Sequence, residues 1–136
     1  MSRPWAGTIS RRIALVIVAG ALTISGCGGS AAAAATPASG NPPGPYVALA
    51  ARDLTFDTTS LAVPASAPFT IVFENAEGVP HNVSIDRTTD GAGRVFEGAV
   101  FSGPATRWYA VPALAPGEYT FLCQVHPSMT GRLVAT

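Results

Sequence analysis

The sequence predicts an all-β protein, a Greek-key β-sandwich built from seven or eight short strands. From residue 46 onward, short apolar segments are separated by turn-forming residues, and the chain carries 14 glycines and 12 prolines in 136 residues. Several of these segments alternate apolar and polar side chains with a period of two, as a half-buried strand does. No amphipathic helical repeat of useful length accompanies them. Short strands with frequent turn signals favour a sandwich over a mixed fold.

The individual strands follow from where the alternation begins and where turn residues interrupt it. The clearest case is the segment in which Phe69, Ile71 and Phe73 share one face. The segment around Gly98 is either one bent strand or two short pieces. Polar turn residues predict a turn at 75–78 and a loop at 86–94. In chain order, the predicted strands cover residues 47–54 continuing into 55–57, then 61–63, 69–74, 81–86, 95–101, 106–111, 119–123 and 131–136.

The N-terminal segment, residues 1–26, is predicted to be an export signal. Arg11 and Arg12 form its positive end, and the apolar run of twelve residues that follows, 13–24, is too short for a comfortable membrane span. The run ends in Ile-Ser-Gly-Cys, which resembles a bacterial lipobox, so we expect cleavage before Cys27 and lipid attachment to that cysteine. The alternative is an ordinary secretory signal with an accidental cysteine. The lipidated protein would be anchored to the outer face of the cell membrane or lie in the periplasm.

A low-complexity segment joins Cys27 to the predicted folded part. Residues 27–45 are rich in Ala, Gly, Pro and Ser and lack large apolar side chains, so they cannot bury enough surface to order themselves. A flexible chain of this length spans roughly 25 Å on average. We therefore expect a lipoprotein signal at 1–26, a lipidated cysteine and tether at 27–45, and one domain at 46–136.

The charge of the chain argues against nucleic-acid binding. The formal net charge is zero, but three of the eight arginines (Arg3, Arg11 and Arg12) lie in the predicted signal. Five arginines then remain against eight acidic residues, a net charge of −3, and the sequence contains no lysine. Because no basic stripe remains, we expect no nucleic-acid partner.

One short stretch near the C-terminus gathers three metal-binding side chains, Cys123, His126 and Met129, at the spacing C-x-x-H-x-x-M. The alternating run before it predicts a strand that places Cys123 at the end of a buried row. Pro127 and Gly131 are predicted to break the strand, so His126 and Met129 belong to a turn over its end. A thiolate, an imidazole and a thioether form a soft donor set that suits copper.

The sequence offers one other histidine, His81, and it also lies at the end of a predicted buried row. His81 has the same parity as Val83 and Ile85 along its strand. Two such rows can end at one pole of a sandwich. Two histidines and a cysteine with a weak axial methionine are the ligand pattern of blue-copper electron-transfer sites.

Other interpretations of these residues are weaker. A disulfide between Cys27 and Cys123 is the ordinary expectation for an exported protein, but both cysteines have separate explanations. Zinc prefers four strong donors, and a thioether is a poor one. A nucleophilic pair of Cys123 and His126 would need an orienting acid, which the turn does not contain. A lone cysteine or methionine is usually a core residue, but here the donors cluster in two segments.

The segments 79–83 and 117–131 resemble the two signature segments of the cupredoxins, the blue copper proteins of the plastocyanin and amicyanin group. The two-residue spacings in the turn are closest to amicyanin. This resemblance implies a cupredoxin fold with one type 1 copper ion bound by His81, Cys123, His126 and Met129. It also implies that Asn82 hydrogen-bonds to the cysteine-bearing loop and holds the two ligand segments together.

The resemblance implies a shuttle of single electrons between membrane or periplasmic redox partners, with no catalytic residue. An apolar patch of Val79, Pro80, Val125, Pro127 and Met129 would surround the exposed edge of His126. Glu74 and Glu77 would add weak electrostatic steering at most. We expect a monomer that meets a redox donor and acceptor and contacts the membrane through lipid on Cys27. The rivals are a copper carrier or storage protein that delivers the ion, and an interaction domain with a decayed site.

Overall fold

The computed structural model describes residues 36–37, 40–87 and 93–136, with Thr36 and Pro37 described by their backbone alone. The predicted signal at 1–26 and Cys27 lie outside these residues. The strands are β1 Thr36–Pro37, β2 Tyr46–Arg52, β3 Thr55–Phe56, β4 Ser60–Val63, β5 Phe69–Asn75, β6 Pro80–His81, β7 Ser84–Asp86, β8 Arg94–Glu97, β9 Phe101–Ser102, β10 Ala105–Val111, β11 Gly117–Leu122 and β12 Thr130–Ala135. Eight of them have three residues or more, in agreement with the predicted seven or eight strands.

The strands form two five-stranded sheets that face each other, and the predicted all-β sandwich is confirmed. Sheet one has the order β1-β10-β5-β2-β3, and sheet two has the order β4-β12-β11-β7-β8. Strands β6 and β9 pair separately. Most neighbours are antiparallel, but β2 pairs with β5 and β4 with β12 in parallel. The part of the chain that the structure describes contains no helix long and apolar enough to cross a membrane.

The core between the sheets is built from the alternating faces of the strands. In β5, Phe69, Ile71 and Phe73 are all buried, as their period of two predicts. The rings of Phe56 and Phe121 meet across the sandwich with centroids 5.3 Å apart. Full burial of one such aromatic or aliphatic side chain contributes roughly 1.5–3 kcal/mol. The apolar core therefore supplies most of the driving force that brings the ends of the strands together.

Both faces of the segment 81–86 are buried. His81, Val83 and Ile85 face the core as predicted, and each has 0 % of its surface exposed. The opposite row of Asn82, Ser84 and Asp86 is also buried. This row tolerates burial because β7 lies inside sheet two, between β11 and β8, where its polar groups find partners.

Two glycines lie where predicted strands begin or end. Gly98 separates β8 from β9, so the segment around it forms two short strands rather than one bent strand. Gly131 was expected to follow the end of the Cys123 strand and to begin the last strand. Strand β11 does end before the turn, at Leu122, and Gly131 lies in β12, opposite Phe121. A side chain at Gly131 would overlap the Phe121 ring, so only glycine fits at this position of the ladder.

Strand β1 falls within the segment predicted to be a tether. Thr36 and Pro37 pair with Trp108 and Arg107 at the edge of sheet one. An edge position suits Pro37, because proline has no N–H to donate to a further strand.

Candidate metal centre

The four predicted metal-binding residues belong to two segments that meet at one pole of the sandwich. His81 ends β6, which pairs with β9, and its side chain is fully buried. Cys123 follows directly after β11 and is a free, buried thiol. Strand β11 pairs with β7 on one side and with β12 on the other, so the position of Cys123 is set by two ladders.

The turn that carries the other two residues is closed by main-chain hydrogen bonds. The N–H of Cys123 donates to the carbonyl oxygen of Met129 at 3.0 Å. The N–H of Met129 donates to the carbonyl oxygen of His126 at 2.9 Å. Both bonds hold the turn against the end of β11, so its side chains return towards Cys123.

Three donor atoms of this pole lie within 4.8 Å of one another. Cys123 Sγ is 3.7 Å from His81 Nδ1 and 3.9 Å from His126 Nδ1, and the two Nδ1 atoms are 3.1 Å apart. The circle through three points with these separations has a radius of about 2.1 Å, close to the roughly 2.0–2.3 Å bonds of metal to imidazole and thiolate. One small cation at the centre would therefore contact all three donors, so the residues fit a single metal ion.

Met129 supplies the thioether of the predicted set. Its side chain is 2 % exposed and belongs to the same buried cluster as Cys123. A thioether on the same turn as a thiolate and an imidazole gives a donor set that favours copper over zinc or magnesium.

Asn82 links the two ligand segments. Its side-chain oxygen accepts the main-chain N–H of Gln124 at 2.9 Å, and its amide nitrogen donates to the side-chain oxygen of Gln124 at 2.6 Å and to the carbonyl oxygen of Gly98 at 2.8 Å. Asn82 follows His81 and Gln124 follows Cys123, so these bonds connect the neighbours of two donors. The relative position of the donors is thereby restrained before any metal binds.

Glu77, for which the sequence predicted only weak electrostatic steering, contacts a ligand of the site directly. Its Oε2 lies 2.8 Å from His81 Nε2, and its Oε1 accepts the main-chain N–H of Leu54 at 3.0 Å. The hydrogen bond with His81, followed by the bond from Leu54, lowers the pKa of the Glu77 carboxyl. Because an ionised carboxylate only accepts hydrogen bonds, His81 carries its proton on Nε2 and turns the lone pair of Nδ1 towards Cys123. The only signal in the sequence is a glutamate four residues before His81.

The turn that carries Glu77 is held by Asn75. The Asn75 side chain donates to the carbonyl oxygens of Val79 and Phe101 and accepts the N–H of Glu77. The turn predicted at 75–78 is thus built around a buried amide rather than exposed to solvent on all sides.

The surface above the site is apolar. His126 is half-buried, and Val79 and Val125 have about 40 % of their surface exposed. Pro80 and Pro127 are exposed beside them. Met129 was expected in this patch, and that prediction is wrong, since Met129 is buried.

The fold and the site together define a class. An all-β sandwich whose pole presents two imidazoles, one thiolate and one buried thioether is the architecture of a mononuclear blue copper protein.

Sequence and structure comparisons agree with that class. The model of the cupredoxin-like domain family matches residues 14–135, and the chain belongs to this family. Its cofactor is one type 1 copper ion, which the donor set fits. Amicyanin-alpha from Methylorubrum extorquens is 33 % identical over 79 residues, which are 58 % of this chain and 62 % of amicyanin-alpha. The match thus covers less than two thirds of that relative.

Two solved structures are similar in fold. Auracyanin A, a blue copper protein from Chloroflexus aurantiacus, is 25 % identical with a TM-score of 0.58, and the match covers 68 % of this chain and all of auracyanin A. Amicyanin from Paracoccus versutus is 24 % identical with a TM-score of 0.57, and the match covers 75 % of this chain and 91 % of that one. Because the amicyanin from Paracoccus versutus is less than 25 % identical, its similarity supports the fold alone.

Proposed function

We propose that this protein is an electron carrier that binds its copper ion through His81 Nδ1, Cys123 Sγ, His126 Nδ1 and the thioether of Met129. The observation that carries the proposal is the triangle of three donor atoms within 4.8 Å at a buried pole. Bound copper supplies one-electron chemistry between its cuprous and cupric states. Because this donor set is that of blue-copper electron-transfer sites, we propose a carrier and not an enzyme.

The protein's own residues keep the donor positions nearly constant. The donors are held by the β11 ladders, by the two main-chain bonds of the turn, and by the bonds between Asn82 and Gln124. A ligand set that moves little when its charge changes has a small reorganisation cost, and this favours fast electron exchange. Burial of Cys123 also keeps water away from the thiolate.

Electrons would enter and leave through His126. His126 is the half-buried donor, and its chain neighbours Val125 and Pro127, together with Val79 and Pro80 beside His81, are exposed apolar residues. Small apolar contacts suit brief redox encounters, which use interfaces at the low end of the size range. We propose a monomer that meets its redox donor and acceptor in turn at this patch.

We further propose that the protein works outside the cytoplasm. The predicted signal at 1–26, lipid on Cys27 and the tether within 27–45 support a carrier anchored at the outer face of the cell membrane or in the periplasm. A tethered domain can reach partners on the same membrane without diffusing away.

The test uses purified protein with a Cys27→Ser substitution, so that Cys123 is the only thiol and no lipid is attached. With copper, we expect an intense visible thiolate-to-copper band and a reversible one-electron wave in voltammetry. Cys123→Ser in the same background should abolish the band, and Val125→Ala should retain it. A colourless protein that holds only cuprous ion and passes it to a chelator would instead identify a copper carrier. Unchanged copper binding after Cys123→Ser would refute the assigned ligands.

A further inference from the structure

We propose that Glu77 is a positioning residue that couples the turn between β2 and β3 to the imidazole of His81. This inference goes beyond the proposed function but relies on it for one readout, since a reduction potential requires the bound copper. The bridge itself is a property of the protein chain and does not require a metal. Both carboxylate oxygens of Glu77 are used, each by a different part of the molecule.

The main chain of Glu77 is also fixed. Its N–H donates to the side-chain oxygen of Asn75 at 2.9 Å, and its carbonyl oxygen accepts the N–H of Gly103 at 2.9 Å. With the two side-chain bonds, Glu77 makes four hydrogen bonds to four different residues. Because Glu77 is held in this way, a displacement of the Leu54 main chain is passed on to the His81 ring.

The partner on the far side is a strained turn. Asp53 and Leu54 connect β2 to β3 and have φ angles of 51° and 57°, in the left-handed region that favours glycine or asparagine. The Leu54 side chain is 49 % exposed, so its packing does little to hold this conformation. The bond from the Leu54 N–H to Glu77 is the contact that ties the tip of the turn to the ligand pole.

The partner on the near side is a copper ligand. A carboxylate that accepts the Nε2–H of a metal-bound histidine fixes the tautomer and makes Nδ1 a stronger donor. A stronger donor stabilises the cupric state more than the cuprous state, because the cupric ion has the higher charge. Glu77 should therefore lower the reduction potential of the site.

The informative variant is Glu77→Gln. The glutamine has one side-chain oxygen, whereas Leu54 N–H and His81 Nε2–H both need an acceptor. Only one of the two bonds can survive, and the uncharged amide is a weaker acceptor. Glu74→Gln is the matched control, since Glu74 is a nearby glutamate that pairs with the exposed Arg52.

The first readout is the reduction potential of the copper-loaded protein. We expect Glu77→Gln to weaken cupric relative to cuprous binding about tenfold, which raises a one-electron potential by about 59 mV. The visible band should remain, because all four ligands are retained. Glu74→Gln should leave the potential unchanged. Equal potentials for Glu77→Gln and Glu74→Gln would overturn the proposal.

The second readout uses the metal-free protein and stays valid if the proposed function fails. In the unsubstituted chain, nuclear magnetic resonance should show the His81 ring protonated on Nε2 and slow solvent exchange of the Leu54 amide. Glu77→Asp keeps the charge but is one methylene shorter, so it cannot reach both partners and should accelerate Leu54 exchange. A His81 ring protonated on Nδ1, or Leu54 exchange that is unaffected by both variants, would show that no bridge couples the turn to the ligand.

Discussion

The Nδ1 atoms of His81 and His126 lie 3.1 Å apart although the two residues are separated by 45 positions in the chain. Without a metal, one ring can donate a hydrogen bond to the other across this distance when its Nδ1 carries the proton. A metal ion between the rings would instead bind the lone pairs of both nitrogens, so the fold holds two donors from distant parts of the chain at a separation that one ion can bridge.

Removal of copper should lower thermal stability. At a free copper concentration about 1,000 times the dissociation constant, binding stabilises the native state by about 4 kcal/mol, or about 20 °C for a domain of this size. Calorimetry before and after treatment with a chelator measures the difference. Cys123→Ser is the control, and an equal chelator effect in that variant would place the ion elsewhere.

Asn82→Ala should destabilise the protein and loosen the site. The substitution leaves the Gln124 N–H and the Gly98 carbonyl without their buried partner, at a cost of about 3 kcal/mol. Denaturant unfolding of the copper-free protein measures this cost, and Asn41→Ala provides a control at an exposed asparagine. Equal stability of the two variants would show that Asn82 does not hold the ligand segments together.

Arg94→Ala should destabilise the protein far more than Arg132→Ala. Arg94 binds the fully buried Asp86 through Nε at 2.7 Å and also contacts Glu97 at 3.0 Å. The bond with Asp86 raises the pKa of Arg94. Its loss leaves a buried carboxylate unpaired, which costs about 3 kcal/mol. Arg132 pairs with Glu118 on the exposed surface, where ion pairs contribute little. Similar unfolding midpoints for the two variants would contradict this ranking.

Tyr109 should make stability fall at alkaline pH. Burial, reinforced by the charge of Cys123, raises the pKa of the Tyr109 phenol. The neutral phenol contributes fully to the free energy of unfolding below pH 10, which is about the pKa of tyrosine in the unfolded chain. Above that pH the contribution is lost by up to about 1.4 kcal/mol per pH unit. Tyr109→Phe, which gives up the bond to the Ala99 carbonyl, should show a shallower decline between pH 10 and 11. Tyr46→Phe, at an exposed tyrosine, is the control, and parallel declines for both variants would contradict the assignment.

The donor residues could be predicted because their chemistry is rare in this sequence. Outside residues 1–27, the chain has one cysteine, two histidines and one methionine, and all four fall in two short segments. The alternation around Cys123 and His81 also predicts which side of each strand faces the core. The metal-binding residues could be predicted from short stretches of sequence, because such stretches show both which side chains can bind a metal and which of them share the buried face of a strand.

Glu77 could not be predicted in the same way. A glutamate in a polar turn is solvated by default, and its role depends on Leu54 and His81 reaching it from two other segments. The requirement for glycine at position 131 could not be predicted either. The sequence places Gly131 at the start of the last strand, but only the structure shows that the Phe121 ring on the neighbouring strand leaves no room for a side chain there. Both cases depend on contacts between strands, which a period of two does not encode.

The order of strands in sheet two has a consequence for maturation. Strand β12 follows the ligand turn and lies between β4 and β11, and it pairs in parallel with residues about seventy positions earlier, such as Leu133 with Leu61. Pairings over such sequence separations slow folding, because the entropy of loop closure is lost before the contacts form. We therefore expect the metal to be acquired by an already folded scaffold and not to serve as a template for building one.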